Sequence, residues 1–262
     1  MRVCLLLLSL SPLFAQVAIS NRGVNFYSIE KERALGAELA GELRQRTTRI
    51  STRDIDAHLL RLGARLVAQI QDPLHQYTFS LIAEDTSGGL HEPHSLPGGY
   101  LFVPASLYLE ARSEAELAGM LAHAVAHVAA RHGTRQATRE SLLSPVVPMV
   151  FLGSTRQLAL DDSPVVALAL LAFQRRFEKE ADRVAVQVAA KAGYDPSALV
   201  RYIERVQPAA GSGAGGVRSA VPERESRIAG MWEVIQTMPA RSYHAGMEFA
   251  SIQTAVRRLV AR

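Results

Sequence analysis

Two histidines in the middle of the chain are spaced so that they could bind one metal ion. His123 and His127 lie four residues apart in the run LAHAVAHVAARH, residues 121–132, whose pattern indicates a helix. Side chains at positions i and i+4 leave one face of a helix about 5 to 6 Å apart at Cβ, so two imidazoles there can share a cation. This is the spacing of the zinc-binding half of an H-E-x-x-H motif.

The group that would drive hydrolysis in such a motif is absent from its place. Ala124 stands where the motif has glutamate, the residue that takes a proton from the attacking water. Glu92, Glu110 and Glu114 are the carboxylates nearby in the sequence. None of them has the helical phase of position 124, so we do not expect substitution in place.

A helix further along the chain could supply the remaining ligands. It carries Glu178, which lies 51 residues after His127, and Asp182 one turn later on the same face. A catalytic zinc commonly takes two histidines and one carboxylate and keeps one position open, so one carboxylate could ligate while the other orients an imidazole. The alternative is a solvated helix whose acidic residues pair with neighbouring arginines.

The elements around these residues predict a mainly α-helical domain with a small β-sheet. Ser113 and Glu116 form a capping-box signature at the start of the histidine helix, and Gly133 would end that helix. Alternation over 77–83 and 95–103 predicts two strands, the second entered through a Pro-Gly-Gly turn. The edge of this sheet could align an extended polypeptide by main-chain hydrogen bonds. The candidate residues for this substrate edge strand are Gly98, Gly99, Tyr100 and Leu101.

Helical periodicity extends over most of the remaining chain. Two apolar runs, 142–152 and 164–173, are too short to span a bilayer. We interpret them as buried helices of the core, with a lid or a membrane-surface contact as the alternative. Further helices are expected over about 28–46, 54–71, 175–193, 197–206, 223–237 and 247–260.

The first fifteen residues have the layout of a secretory signal peptide. Arg2 precedes a short apolar run, and cleavage after Ala15 is plausible. We therefore expect export to a periplasm or cell envelope, with an uncleaved membrane anchor as the alternative. Removal of 1–15 leaves no cysteine, so histidines and carboxylates must hold any metal. The expected organisation is a signal peptide (1–15), one domain (16–206), and a flexible loop with C-terminal helices packed on the core (207–262).

Composition and charge indicate an ordinary globular protein. The 262 residues are 48% hydrophobic and 21% charged, and 29 basic residues face 25 acidic ones, for a net charge of +4. Blocks of lysine and arginine interleaved with aromatic residues are absent from the sequence. We therefore expect no nucleic-acid partner.

Three segments in order resemble one family of zinc metallopeptidases. LPGGYLFV (96–103), SEAELAGMLAHAVAHVAARH (113–132) and FEKEADRVA (177–185) are similar to segments of the CAAX-prenyl-endopeptidase, HtpX and BepA family, and within it to the exported bacterial branch. The resemblance implies a zincin-like core with a C-terminal helical extension. It also implies one Zn²⁺ per chain on His123, His127 and Glu178, with Asp182 behind a ligand.

The chain departs from the family pattern at two positions. Ala124 replaces the general-base glutamate, and Val221 stands where the family has a histidine in a Thr-His-Pro segment. We therefore predict a zinc-binding protein of the cell envelope that binds unfolded or extended polypeptides and is catalytically impaired. The alternative is a zinc endopeptidase of envelope protein quality control, either active through a carboxylate from elsewhere or inactivated by an engineered Ala124. A helical envelope protein that binds no metal is a third possibility.

Overall fold

A computed structural model describes residues 16–19, 23–72, 74–83, 91–143, 164–207, 222–244, 246 and 248–261, without the side chains of 143 and 164–173. The expected signal peptide, most of the first apolar run and Val221 lie outside these residues. The described part confirms a mainly helical fold with a small β-sheet. Its helices are α1 (Ile29–Arg46), α2 (Arg53–Val67), α3 (Ala105–Glu110), α4 (Glu114–Ala129), α5 (His132–Leu143), α6 (Pro164–Lys191), α7 (Ser197–Val206), α8 (Arg224–Ile235) and α9 (Phe249–Val260).

Helix α4 lies at the centre of the hydrophobic core. The side-chain hydroxyl of Ser113 accepts a hydrogen bond from the backbone N–H of Glu116 at 3.2 Å, so the cap predicted from the sequence begins this helix. Every residue from Glu116 to Ala129 is buried. Helices α2, α6 and α7 pack around it. Because α4 is enclosed by other helices, its two histidines are held away from bulk water.

A three-stranded sheet packs between α1 and the central helices. Its strands are β1 (Thr78–Ile82), β2 (His94–Leu96) and β3 (Tyr100–Pro104), in the order β1-β3-β2. Phe102 of β3 packs toward Ala40 of α1 in a small apolar cluster, while Leu101 and Val103 belong to the main core. This alternation is the period of two expected for a strand buried on both faces.

The expected substrate edge strand is not at the edge of the sheet. Tyr100 pairs with Thr78 on one side and Leu96 on the other, and Leu101 pairs with Phe79 and Ser95. Since β3 is the central strand, its main-chain groups are already used by its neighbours, and the prediction for Tyr100 and Leu101 is wrong. The strand that borders β3 toward α4 is β2.

Gly98 and Gly99 form a tight turn between β2 and β3. Both have positive φ, 78° and 104°, which side chains with a Cβ rarely adopt. A Cβ on Gly99 would also lie 2.3 Å from the carbonyl oxygen of Gln76. These two glycines therefore serve the close approach of backbone segments, and the prediction that they form part of an edge strand is also wrong.

The histidine helix ends earlier than its sequence pattern predicts, and Gly133 does not end it. Arg131 has a φ of 56°, and the chain turns there before α5 begins at His132. The guanidinium of Arg131 donates to Glu32 and to the carbonyl oxygen of Tyr27, each at 2.6 Å. These contacts hold the turn, and the new helix carries His132 back toward α4.

The C-terminal helices pack on the same core. Helix α8 packs against α6 and α7, while α9 packs against α2 and α3. The second apolar run, 164–173, forms the first turns of α6. Within the described ranges, none of the helices has both the length and the apolar composition required to cross a bilayer.

Candidate metal centre

Helices α4 and α6 bring three candidate ligands to one point. Nε2 of His123 lies 3.0 Å from Nε2 of His127. The carboxylate of Glu178 faces both rings, with one oxygen 3.3 Å from Nε2 of His123 and the other 3.5 Å from Nε2 of His127. In the part of the chain that the structure describes, this is the group of histidine, cysteine and acidic residues whose ligand atoms all lie within 4.8 Å of one another.

The spacing of these atoms fits a zinc ion. A tetrahedral zinc with bonds of about 2.0 to 2.1 Å separates its ligand atoms by about 3.3 Å, and the three observed distances lie around this value. Oε2 of Glu178 is buried and accepts no hydrogen bond from any described residue. An unsatisfied carboxylate oxygen beside two facing imidazole nitrogens is costly without a cation. The donor set is that of a catalytic zinc with one open position.

His123 is supported from behind by an acidic residue and an arginine. Its Nδ1 lies 3.0 Å from Oδ1 of Asp182. Arg227 of α8 donates two hydrogen bonds of 2.7 Å to Asp182 and is only 1% exposed. A carboxylate on the outer nitrogen of a ligating histidine fixes the ring and its tautomer. The predicted placement of Asp182 behind an imidazole therefore corresponds to a contact in the structure, and Arg227 completes the arrangement.

The electrostatics of this group favour positive charge at its centre. Burial lowers the pKa of His123, but the neighbouring carboxylates of Asp182 and Glu178 outweigh burial and raise the pKa to about 10. Burial raises the pKa of Glu178, yet the charge of His127 and the closeness of both imidazoles hold that pKa well below its usual range. A site that attracts a proton so strongly also attracts a divalent cation.

His127 has its own support, which sequence patterns did not indicate. Its Nδ1 lies 3.1 Å from Nδ1 of His132, whose Nε2 faces Glu180 at 3.6 Å. Burial, more than any other cause, lowers the pKa of His132 to about 3, so this ring is neutral and its Nδ1 can accept a hydrogen bond from Nδ1–H of His127. This hydrogen bond would leave Nε2 of His127 free to bind a metal. The contact between His127 and His132 depends on the turn at Arg131, which no local sequence pattern predicts.

The three glutamates nearest to the histidine motif in the sequence, Glu92, Glu110 and Glu114, have different contacts. Glu110 pairs with Arg205, and Glu114, at the first position of α4, contacts His58 and Tyr194. Ala124 is itself buried and presents only a methyl group. Glu92, by contrast, forms an ion pair with the arginine that supports Asp182: its Oε1 lies 3.6 Å from Nη1 of Arg227.

Comparisons with known proteins give consistent results. The sequence model of a family described as peptidase family M48 matches residues 54–241. The beta-barrel assembly-enhancing protease of Yersinia pestis is 27% identical over 191 residues, and that of Escherichia coli K12 is 26% identical over 189. A Vibrio cholerae protein with a provisional form of the same name is 30% identical over 189 residues. In each case the match covers 68% of this chain and 38% of the relative, so the chain spans about two fifths of their length.

Proposed function

The chain belongs to peptidase family M48, a family of zinc metallopeptidases, and we propose that it is a zinc-binding envelope protein that holds extended polypeptides and hydrolyses them slowly. The observation that carries the proposal is the convergence of His123, His127 and Glu178. These residues would hold one Zn²⁺ per chain. When bound, the ion supplies a Lewis acid that polarises a peptide carbonyl.

Slow hydrolysis is proposed because position 124 cannot accept a proton. The methyl group of Ala124 is buried in α4, between the turns that carry the histidines. Loss of a positioned general base typically lowers a rate by about 10²- to 10⁴-fold. Metal binding and polypeptide binding do not depend on that base, so both can persist without it.

The polypeptide would lie along the outer strand of the sheet nearest to the centre. Strand β2 pairs with β3 and packs against α4. An extended chain that added to this strand would run beside the histidine helix, with main-chain hydrogen bonds for affinity and little dependence on sequence. This moves the proposed binding edge from Gly98–Leu101 to His94–Leu96.

A place in the cell envelope is proposed from the relatives and from the N-terminal residues. The relatives' name connects those proteins with the assembly of β-barrels, and barrels of that kind occupy bacterial outer membranes. Residues 1–15 would be removed on export. Cell fractionation with mass measurement of the purified protein tests this part, since retention of Met1 on a cytoplasmic product would contradict it.

The proposal is tested with purified native protein, Ala124→Glu and His127→Ala. Zinc content is measured directly, hydrolysis with unfolded casein, and binding by fluorescence anisotropy of a labelled unfolded peptide. We expect zinc and peptide binding in the native protein, no zinc in His127→Ala, and a rise in hydrolysis of about 10²-fold or more in Ala124→Glu. A native protein without zinc, or one that cleaves casein as fast as Ala124→Glu does, would sink the proposal.

A further inference from the structure

Glu92 brings a carboxylate to the metal centre from a part of the chain that the zinc motif does not include. It lies two residues before β2 begins at His94. Its side chain is 14% exposed, and its Oε1 is buried without a hydrogen-bond donor among the described residues. A buried carboxylate oxygen without a donor is energetically costly, so its presence in a native fold calls for an explanation such as a catalytic role or a bound water or ion.

The groups that surround Glu92 are those of the centre. Burial and the charge of Glu178 raise the pKa of its carboxyl group, and the charges of His123, Arg227 and His127 oppose that rise only in part. Arg227 connects it to the histidines, because the same guanidinium that holds Asp182 lies 3.6 Å from Glu92. Glu92 therefore reaches Arg227 from the segment before β2, while Asp182 reaches the same guanidinium from α6.

Glu92 lies outside the group of candidate ligands and forms an ion pair, but no hydrogen bond, with Arg227. It does not belong to the set of atoms that lie within 4.8 Å of one another. Arg227 already donates two hydrogen bonds to Asp182 and one to Gln207, and its 3.6 Å distance to Glu92 is too long for a fourth. The ion pair therefore holds Oε1 near Arg227 without giving it a hydrogen bond.

We propose that Glu92 is the proton-accepting carboxylate of this centre and does the work for which position 124 has no group. The inference rests on the proposed function and names the residue responsible for the slow hydrolysis. Glu92 belongs to the segment that leads into the strand on which the polypeptide would lie, two residues before that strand begins.

The proton transfer uses only water and the peptide. As the water oxygen bonds to the carbonyl carbon, one of its O–H bonds breaks and the proton passes to Oε1 of Glu92. As the carbon–nitrogen bond then breaks, that proton moves to the departing amide nitrogen. The products are a carboxylic acid and an amine, and Glu92 returns to its starting form.

The test compares native protein, Glu92→Gln, and Glu110→Gln as a matched control. Glu110 is a half-exposed glutamate paired with Arg205, away from the centre. All three are assayed for zinc affinity by chelator competition, peptide binding by anisotropy, and casein hydrolysis. We expect Glu92→Gln to keep zinc and peptide binding within about threefold while its hydrolysis falls at least about tenfold. Glu110→Gln should match the native protein in all three assays.

A double variant separates a proton acceptor from a residue needed for folding. In Glu92→Gln/Ala124→Glu, the carboxylate of position 124 takes over, so hydrolysis should return to the rate of Ala124→Glu. The inference is overturned if Glu92→Gln hydrolyses as fast as native, if it loses zinc or peptide binding, or if the double variant stays silent. It is also overturned if native protein hydrolyses no faster than His127→Ala, although zinc and peptide binding would then still support the metal-binding and polypeptide-binding parts of the proposed function.

Discussion

Two buried histidines in this molecule each lie between a pair of carboxylates. His123 lies 3.0 Å from Asp182 and 3.3 Å from Glu178. His75 lies 2.8 Å from Asp72 and 3.5 Å from Glu32. Burial lowers the pKa of both rings, but their carboxylates outweigh burial and raise the pKa to about 10 for His123 and about 9 for His75. In the effect of their neighbouring charges on the pKa, the surroundings of His75 and His123 are nearly equivalent.

The difference lies in what the carboxylates do with their remaining oxygens. In the His75 cluster, which we define as Glu32, Asp72, His75 and Tyr77, the hydroxyl of Tyr77 donates to Asp72 at 2.6 Å and Arg131 donates to Glu32 at 2.6 Å. These donors consume the lone pairs that a cation would need. The result is a protonated imidazole held by ion pairs.

At the metal centre a second imidazole takes the place of such donors. His127 turns a ring nitrogen toward His123, and Oε2 of Glu178 has no donor among the described residues. Two nitrogens that both act as acceptors can face each other at 3.0 Å only with a proton or a metal ion between them. A histidine between acids is therefore weak support for a metal site, and the convergence of acceptors is strong support.

The largest predicted effect separates the two places by zinc content. His127→Ala should abolish stoichiometric zinc binding, because only one imidazole and one carboxylate remain. His75→Ala should retain one zinc per chain. Metal analysis after gel filtration in metal-free buffer measures both. Equal loss of zinc in the two variants would mean that His75 also contributes to the centre, contrary to the comparison.

Local patterns were sufficient to predict most of the centre's parts. The cap at Ser113, the four-residue spacing of the histidines and that of Glu178 and Asp182 are all set within one or two helical turns. Their meeting across α4 and α6 was implied only by family resemblance. This is because the contact of helices depends on the whole core and not on either segment.

The parts that sequence reasoning missed depend on distant segments. The central place of β3 follows from β1 pairing with it, so Tyr100 and Leu101 could not be recognised as doubly paired. His132 reaches His127 because Arg131 is held by Glu32, about a hundred residues earlier. Helical phase excludes Glu92 as a replacement within the motif, but a residue outside the helix is not subject to that constraint.

A second predicted effect concerns stability in the zinc-free protein. Asp182→Ala leaves Arg227 buried without its main partner, and breaking a buried ion pair in this way costs about 3 to 5 kcal/mol. The matched change in the His75 cluster is Tyr77→Phe, which removes one of several donors to Asp72 and should cost about 1 kcal/mol. Urea unfolding measures both.

The losses of unfolding free energy in Asp182→Ala and Tyr77→Phe show whether the contacts of Asp182 and of Asp72 stabilise the fold to the same extent. A loss below that of Tyr77→Phe for Asp182→Ala would show that Glu92 or water compensates Arg227 fully. Arg227→Met provides the control, since it removes the buried cation and should cost less once Asp182 is also changed to Ala. Such non-additivity is expected for residues in direct contact.

The smallest predicted effect is a pH dependence specific to the His75 cluster. The pKa of His75 is about 9 in the folded chain against 6.5 for the free side chain. The stabilisation is therefore complete below pH 6.5 and is lost as pH rises through about 9, with an amplitude of about 1 to 3 kcal/mol. The measurement uses zinc-saturated protein, because metal-bound atoms of His123, His127 and Glu178 carry no exchangeable proton. The metal centre then adds little pH dependence of its own.

The measurement compares native protein with His75→Gln by urea unfolding at pH 6 and pH 9.5. Both share whatever pH dependence zinc binding contributes, so the difference between them isolates the imidazole. We expect the advantage of the native protein over His75→Gln to shrink with rising pH. If that advantage stays constant, His75 is held by neutral hydrogen bonds, and the resemblance between the two acid-flanked histidines is one of geometry without shared charge.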